Sequence, residues 1–325
     1  MPNSVVAPTP TENFVGPVLT VQGLSKTYGK LQALHNVNLE IEPGEIFALL
    51  GVNGAGKTTM IECICGLQAH FEGQISVAGF DVRKEYARAR QITGLVPQEL
   101  NFDGFFRSLE TVSSQGGYFG LRQPDQKARA LMKRLSLEGK EKDNTRNLSG
   151  GMKRRLMIAK ALMHDPALLF LDEPTAGVDV ELRDDLWEYV RELRGNGTTI
   201  VLTTHYLEEA EKLADRIGII NRGRLLLVER RDHLMDKFGR KRVTLRTAQP
   251  LPKHLSRELR IYQWEEGQEN EYHFHFRRDE TEPTLPRLFE LLGQYGVSIT
   301  DVETRQSRLE DIFRELLQSD DETTS

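Results

Sequence analysis

Gly51-Val52-Asn53-Gly54-Ala55-Gly56-Lys57-Thr58 is the stretch on which the fold turns. It follows the apolar run Ile46 to Leu50 and opens a helical pattern that continues to about Gly66. A run that is apolar at every position reads as a strand buried on both faces. The glycines let the backbone curl until its N–H groups point inward at phosphate oxygens. The following helix start adds partial positive charge. In this pattern Lys57 reaches the β- and γ-phosphates, and the Thr58 hydroxyl suits Mg²⁺.

Upstream, Val18 to Leu24 and Val37 to Ile41 alternate apolar and polar, which predicts an antiparallel sheet with one wet face. Ile75 to Val77 and Ile92 to Val96 read as further strands. Residues 99–147 become helical in pattern, with scattered aromatics and charges, and read as an inserted helical subdomain. Beyond it a helix (150–164), a strand (167–171), a helix (181–193) and a strand (199–203) alternate, as in a mostly parallel sheet with helices on its faces.

The strand Leu168-Leu169-Phe170-Leu171 ends on Asp172 and Glu173. A buried strand that ends on a charge needs a compensating partner, and Mg²⁺ supplies one for Asp172. Neighbouring side chains of an extended chain point opposite ways, so Glu173 is free for a second task, polarising the attacking water.

Leu148-Ser149-Gly150-Gly151-Met152 lies between the helical insert and that strand. With it the sequence resembles the ABC ATPase family, whose signature reads LSGGQ, over roughly residues 17–230. The resemblance implies an α/β fold: a P-loop ATPase domain with a mostly parallel core sheet, an antiparallel β subdomain and a helical insert. It also implies roles. Tyr28 stacks on adenine, Gln98 links metal, water and transporter, Asp179 lies at a dimer seam, and His205 stands near the γ-phosphate. The implied sites are then Glu173, His205 and Gln98 for catalysis, with Thr58, Gln98 and Asp172 on Mg²⁺. ATP falls to Tyr28, Gly51, Asn53, Gly54, Ala55, Gly56, Lys57, Thr58 and Thr59, with Ser149, Gly150, Gly151 and Asp179 completing it from a second copy. Met152 stands where the family has glutamine and Val52 where it often has proline; neither removes a reacting group.

Within the family two classes compete. A soluble ABC protein of the DNA-repair type needs a long coiled coil between phosphate loop and signature; a translation factor usually carries two nucleotide domains. Here about 90 residues separate the motifs, without sustained heptads, and one set is present. Met152 to Leu156, Thr175 to Asp179, His205 to Glu211 and Arg308 to Phe313 are similar to subunits of type-two exporters. That class implies a homodimer on a separate multi-helix permease, two plus two, at the cytoplasmic face of the inner membrane.

The 325 residues carry a net charge of −5, which argues against nucleic acid as a partner. No apolar run approaches the roughly 20 residues of a membrane helix. Cys63 and Cys65, the two cysteines, read as buried thiols in a reducing compartment.

The expected layout is a loose leader (1–16), the ATPase domain (17–230), a C-terminal α+β regulatory domain (240–318) and an acidic tail (319–325). On the strand Glu271 to Phe276, Tyr272, Phe274 and Phe276 share one face; His273 and His275 share the other. Phe102, Phe105, Phe106, Tyr118 and Phe119 either pack the insert or line a groove for a permease helix. Arg154 and Arg155 either pack the insert or meet the permease.

Overall fold

The computed structural model describes residues 15–175, 180–238, 240–252, 254–277, 284–306 and 309–324. The chain divides into two compact units between Val228 and Glu229.

The first unit begins with β1 (Leu19–Tyr28) and β2 (Leu31–Ile41), an antiparallel pair whose register runs from Leu19–Ile41 to Tyr28–Leu31. The all-apolar run becomes β3 (Ile46–Leu50), with every residue buried. The glycine loop leads from it into α1 (Lys57–Ile64). Next come β4 (Glu72–Val77), β5 (Phe80–Asp81), α2 (Tyr86–Gln91) and β6 (Thr93–Val96). The insert follows as α3 (Ser108–Tyr118) and α4 (Pro124–Arg134), and α5 (Gly150–Ala161) packs on both. The chain then returns through β7 (Leu168–Asp172), α6 (Val180–Gly195), β8 (Thr199–Thr204), α7 (Leu207–Leu213), β9 (Arg216–Asn221) and β10 (Arg224–Arg230).

Two sheets result. β2-β1-β4-β5 is antiparallel, with register shifts along β1 against both of its neighbours. The second has the order β10-β9-β3-β8-β7-β6, and its β9, β3, β8, β7 and β6 run parallel. One core joins them: Leu19, Leu24 and Ile75 from the first sheet, Met60 and Ile61 from α1, and Phe47, Leu49 and Phe170 from the second. Fully burying each such side chain is worth about 1.5–3 kcal/mol. β3 lies between β9 and β8, so its C-terminal end opens at the middle of the sheet edge. Ligands of open α/β sheets bind there.

The second unit contains α8 (Arg231–Phe238), β11 (Arg240–Thr247), β12 (Gln263–Glu266), β13 (Glu271–Arg277), α9 (Leu285–Gln294), β14 (Ile299–Gln306) and α10 (Leu309–Thr324). Its antiparallel sheet has the order β12-β13-β11-β14. Tyr272, Phe274 and Phe276 are buried with Val243, Leu245, Leu288 and Leu292, while His273 and His275 take the opposite face. No cluster of three or more His, Cys, Asp or Glu side chains able to hold a metal ion occurs among the described residues. The acidic stretch read as a tail continues α10 as far as Thr324.

Candidate functional site

Two glycines shape the phosphate loop. A Cβ on Gly51 would sit 2.5 Å from the Ile220 carbonyl oxygen on β9, so only glycine passes there. Gly56 caps α1 in a left-handed conformation, φ 107°, where a Cβ would also meet the Ala33 carbonyl at 2.9 Å. Ala55 is buried under the loop, while Asn53 and Gly54 face solvent. Lys57 is buried, and its Nζ donates to the carbonyls of Gly51 (2.8 Å) and Val52 (3.3 Å). Burial holds its ammonium below the ordinary lysine range, against the pull of Glu173 and Asp172.

Asp172 and Glu173 both face this loop. The Asp172 Oδ2 accepts from the Thr58 hydroxyl at 3.0 Å, and its Oδ1 accepts from the Thr203 hydroxyl on β8. Glu173 departs from the expected extended alternation. Its φ is 47°, left-handed for a residue with a Cβ, and its N–H is held by the Thr203 carbonyl and hydroxyl, each at 3.1 Å. A kink, rather than strand alternation, separates the two carboxylates. Such conformations cost of order 1–3 kcal/mol and persist where the surroundings impose them.

Three groups converge on the Glu173 carboxylate. Lys57 Nζ is 3.7 Å from Oε1; Gln98 Nε2 donates to Oε2 at 3.3 Å; and His205 Nδ1 stands 3.3 Å from the same Oε2. The structure therefore brings Lys57, Thr58, Gln98, Asp172, Glu173 and His205 into one constellation at the ends of β3, β6, β7 and β8.

The remaining sequence candidates lie around it. Tyr28 ends the first strand of the β1–β2 hairpin and is 40% exposed. The Lys26 ammonium covers its ring at 4.6 Å and is tied to the His70 carbonyl at 2.6 Å. Burial and the Glu62 charge raise the phenol above its ordinary range, and the nearby Thr59 hydroxyl opposes them. Ser149 caps α5 by accepting from the Met152 N–H at 3.3 Å, and Ser149 and Gly150 are exposed. No hydrogen bond among the described residues joins Ser149, Gly150 or Gly151 to the phosphate loop. Asp179 lies outside the described residues.

Several contacts of the site were not given by the sequence. Arg154 is buried and donates to the carbonyls of Pro97 (2.7 Å) and Gln98 (2.9 Å), so the helix that begins at Ser149 holds the Gln98 loop. Arg155 donates to the Leu135 carbonyl at 3.2 Å. Both arginines thus make internal ties, Arg154 to the Gln98 loop and Arg155 to the insert. Thr203 links Asp172 to Glu173, and the buried Glu209 accepts from Thr175 and Thr204. Arg154, Thr175 and Glu209 lie in family-like motifs, but nothing in the string marked which partners they hold.

A cavity of about 770 Å³ opens beside the site, lined among others by Glu62, Leu67, Gln98, Gln115, Phe119 and His164. Of the insert's aromatics, Phe105 is 90% and Tyr118 85% exposed, Phe106 is exposed as well, and Phe102 and Phe119 are half-buried. Packing of the insert explains only the last two.

Comparisons with known proteins identify the family. The family model described as ABC transporter matches residues 34–176. The linearmycin resistance ATP-binding protein LnrL of Bacillus subtilis is 40% identical over 68% of this chain and 72% of its own length. The Nod factor export ATP-binding protein I of Cupriavidus metallidurans is 39% identical over 67% and 73%. The daunorubicin resistance ATP-binding protein DrrA2 of Streptomyces coeruleorubidus is 34% identical over 93% of this chain and 95% of its own. Among solved structures, an ATP-binding subunit of an ABC transporter superposes with a TM-score of 0.64 at 29% identity, covering 68% of this chain and 93% of that one. A dimeric ATP-binding cassette in a post-hydrolysis state with ADP and Pi superposes with 0.62 at 27% identity, over 65% and 98%. These relatives, covered over two thirds or more of their own length, show that the chain belongs to the ABC transporter ATP-binding family.

Proposed function

We propose that this ATPase drives an exporter whose membrane-spanning part is a separate permease, in an assembly of two copies of each. The carrying observation is the convergence of Lys57, Gln98 and His205 on Glu173. No described helix is long and apolar enough to cross a membrane, which fits a chain that docks at the cytoplasmic face through its partner.

In this reading the loop Gly51 to Thr58 cradles the triphosphate with its N–H groups, Lys57 leaves the loop carbonyls for the β- and γ-phosphates, and Tyr28 stacks on adenine. Thr58 Oγ1 and Asp172 Oδ2, 3.0 Å apart, form a hard oxygen pair that fits Mg²⁺, with the Gln98 amide oxygen as a further donor. When bound, the metal neutralises charge on the phosphate oxygens. Glu173 accepts the proton of the attacking water, and Gln98 and His205 fix that carboxylate and report on the γ-phosphate. Ser149, Gly150, Gly151 and Asp179 of a second copy close the site, so ATP glues two chains together and hydrolysis releases them. The cavity beside Gln98, lined by Gln115 and Phe119, receives a cytoplasmic segment of the permease.

Chromatography of the Glu173→Gln chain with and without ATP tests the reading. A shift to a dimer with ATP is expected. A chain that stays monomeric with ATP, also after its permease is supplied, removes the shared site.

A further inference from the structure

Glu209 is a carboxylate that the mechanism above leaves without a task. It lies on α7, is 2% exposed, and its carboxylate takes three contacts from three parts of the chain. Oε1 accepts from the Thr175 hydroxyl, two residues beyond Glu173. Oε2 accepts from the Thr204 hydroxyl at 2.7 Å, one residue before His205. The same Thr204 oxygen accepts the Tyr206 N–H at 2.9 Å. Arg183 on α6 brings its Nε to 3.8 Å from Oε1 and lays its guanidinium over the Tyr206 ring at 5.3 Å. That ring meets His205 at 4.1 Å between centroids.

We propose that Glu209 is a positioning residue that locks the loop carrying Glu173 to the loop carrying His205, holding the two at a fixed separation. The proposal rests on the reading that those two residues act at the γ-phosphate. Its physical basis is the acceptor count. A carboxylate offers two oxygens, and both hydroxyls need one. In a buried site neither hydroxyl has water to turn to, so each loop is tied by a bond that is expensive to leave unmade. Burial pushes the Glu209 carboxyl above its ordinary range, while the two hydroxyls and Arg183 work against that.

Glutamine at this position keeps the shape but replaces one acceptor with an amide donor, which faces one hydroxyl with the wrong partner. The loops then lose register while the phosphate loop on β3 and α1 is untouched. The full-length Glu209→Gln chain should lose about 10- to 100-fold in kcat through misplacement, with KM for ATP within about twofold of the wild type. Hydrogen–deuterium exchange should rise in both segments, 173–175 and 204–207. Thr175→Val, which removes one donor at nearly constant volume, should share the kcat defect, and Thr175→Ser should restore it.

A wild-type kcat in Glu209→Gln overturns the proposal. So does a loss spread equally over kcat, KM and melting temperature, or looser exchange in α7 alone. Glu173→Gln in the same assay separates the levels: if it too turns over at the wild-type rate, the catalytic reading has failed, whereas a dead Glu173→Gln beside an intact Glu209→Gln sinks the positioning role only.

Discussion

His205 Nδ1 stands 3.3 Å from Glu173 Oε2 across the ends of β8 and β7, and Gln98 reaches the same oxygen from β6. Three parallel strands thus meet at one carboxylate: β7 delivers Glu173, and β6 and β8 each deliver one partner to it. Short strands that end in register do this without long loops, since β6, β7 and β8 pair position by position.

Replacing Glu173 with glutamine keeps the shape and removes the proton acceptor. Phosphate release should fall at least about 100-fold while ATP titrations remain near wild type. Retained turnover would remove the residue from the mechanism.

Lys57→Ala deletes the cation that the loop holds in readiness. Charged hydrogen bonds are worth about 1.5–3 kcal/mol, so ATP affinity should drop roughly 10- to 100-fold. Titration with a fluorescent ATP analogue checks this, and an unchanged dissociation constant contradicts it.

Arg154→Met should act on Gln98 at a distance. It leaves two carbonyls, those of Pro97 and Gln98, without their donors, at about 1–3 kcal/mol each when buried. The expected result is a lower melting temperature together with a kcat loss larger than the KM change. Loss of stability with unaltered kcat would show that the tie serves folding alone.

His164 sets an acid limit on the insert. Its ring stacks on Phe119 at 3.9 Å, its Nε2 lies 3.0 Å from the Thr93 carbonyl, and its Nδ1 is buried with no hydrogen-bond partner among the described residues. Burial lowers its pKa from 6.5, with Asp165 pulling upward and Lys127 downward. The unfolded chain therefore binds the proton first. The stability this group contributes is complete above pH 6.5 and is lost as pH falls from there through the folded value. Urea unfolding at pH 7.5 and 5.5 should show a loss that shrinks in His164→Asn. Equal losses in both proteins would assign it elsewhere.

The strand–loop–helix of residues 46–64 was legible because its signals are local: an apolar run, glycines, then a lysine and a threonine at fixed spacing. Glu173 was legible as a reactant but not in its geometry, since the left-handed kink is imposed by Thr203, 30 residues on. The ties made by Arg154 and Glu209 were illegible for the same reason on a longer scale. Their partners lie 57 and 34 residues away, and a charged residue on a helix looks like any solvated one until the sheet returns the chain to it. The exposed Phe105 and Tyr118 show the converse: aromatics in a helical segment look like core until their neighbours are known.

The left-handed backbone at Glu173 also has an evolutionary side. Glycine, or to a lesser degree asparagine, would sit there more comfortably, yet either would erase the acid. A library selected only for heat resistance should therefore drift away from glutamate at this position, yielding sturdier chains that no longer fire, so durability and turnover pull against each other at a single amino acid.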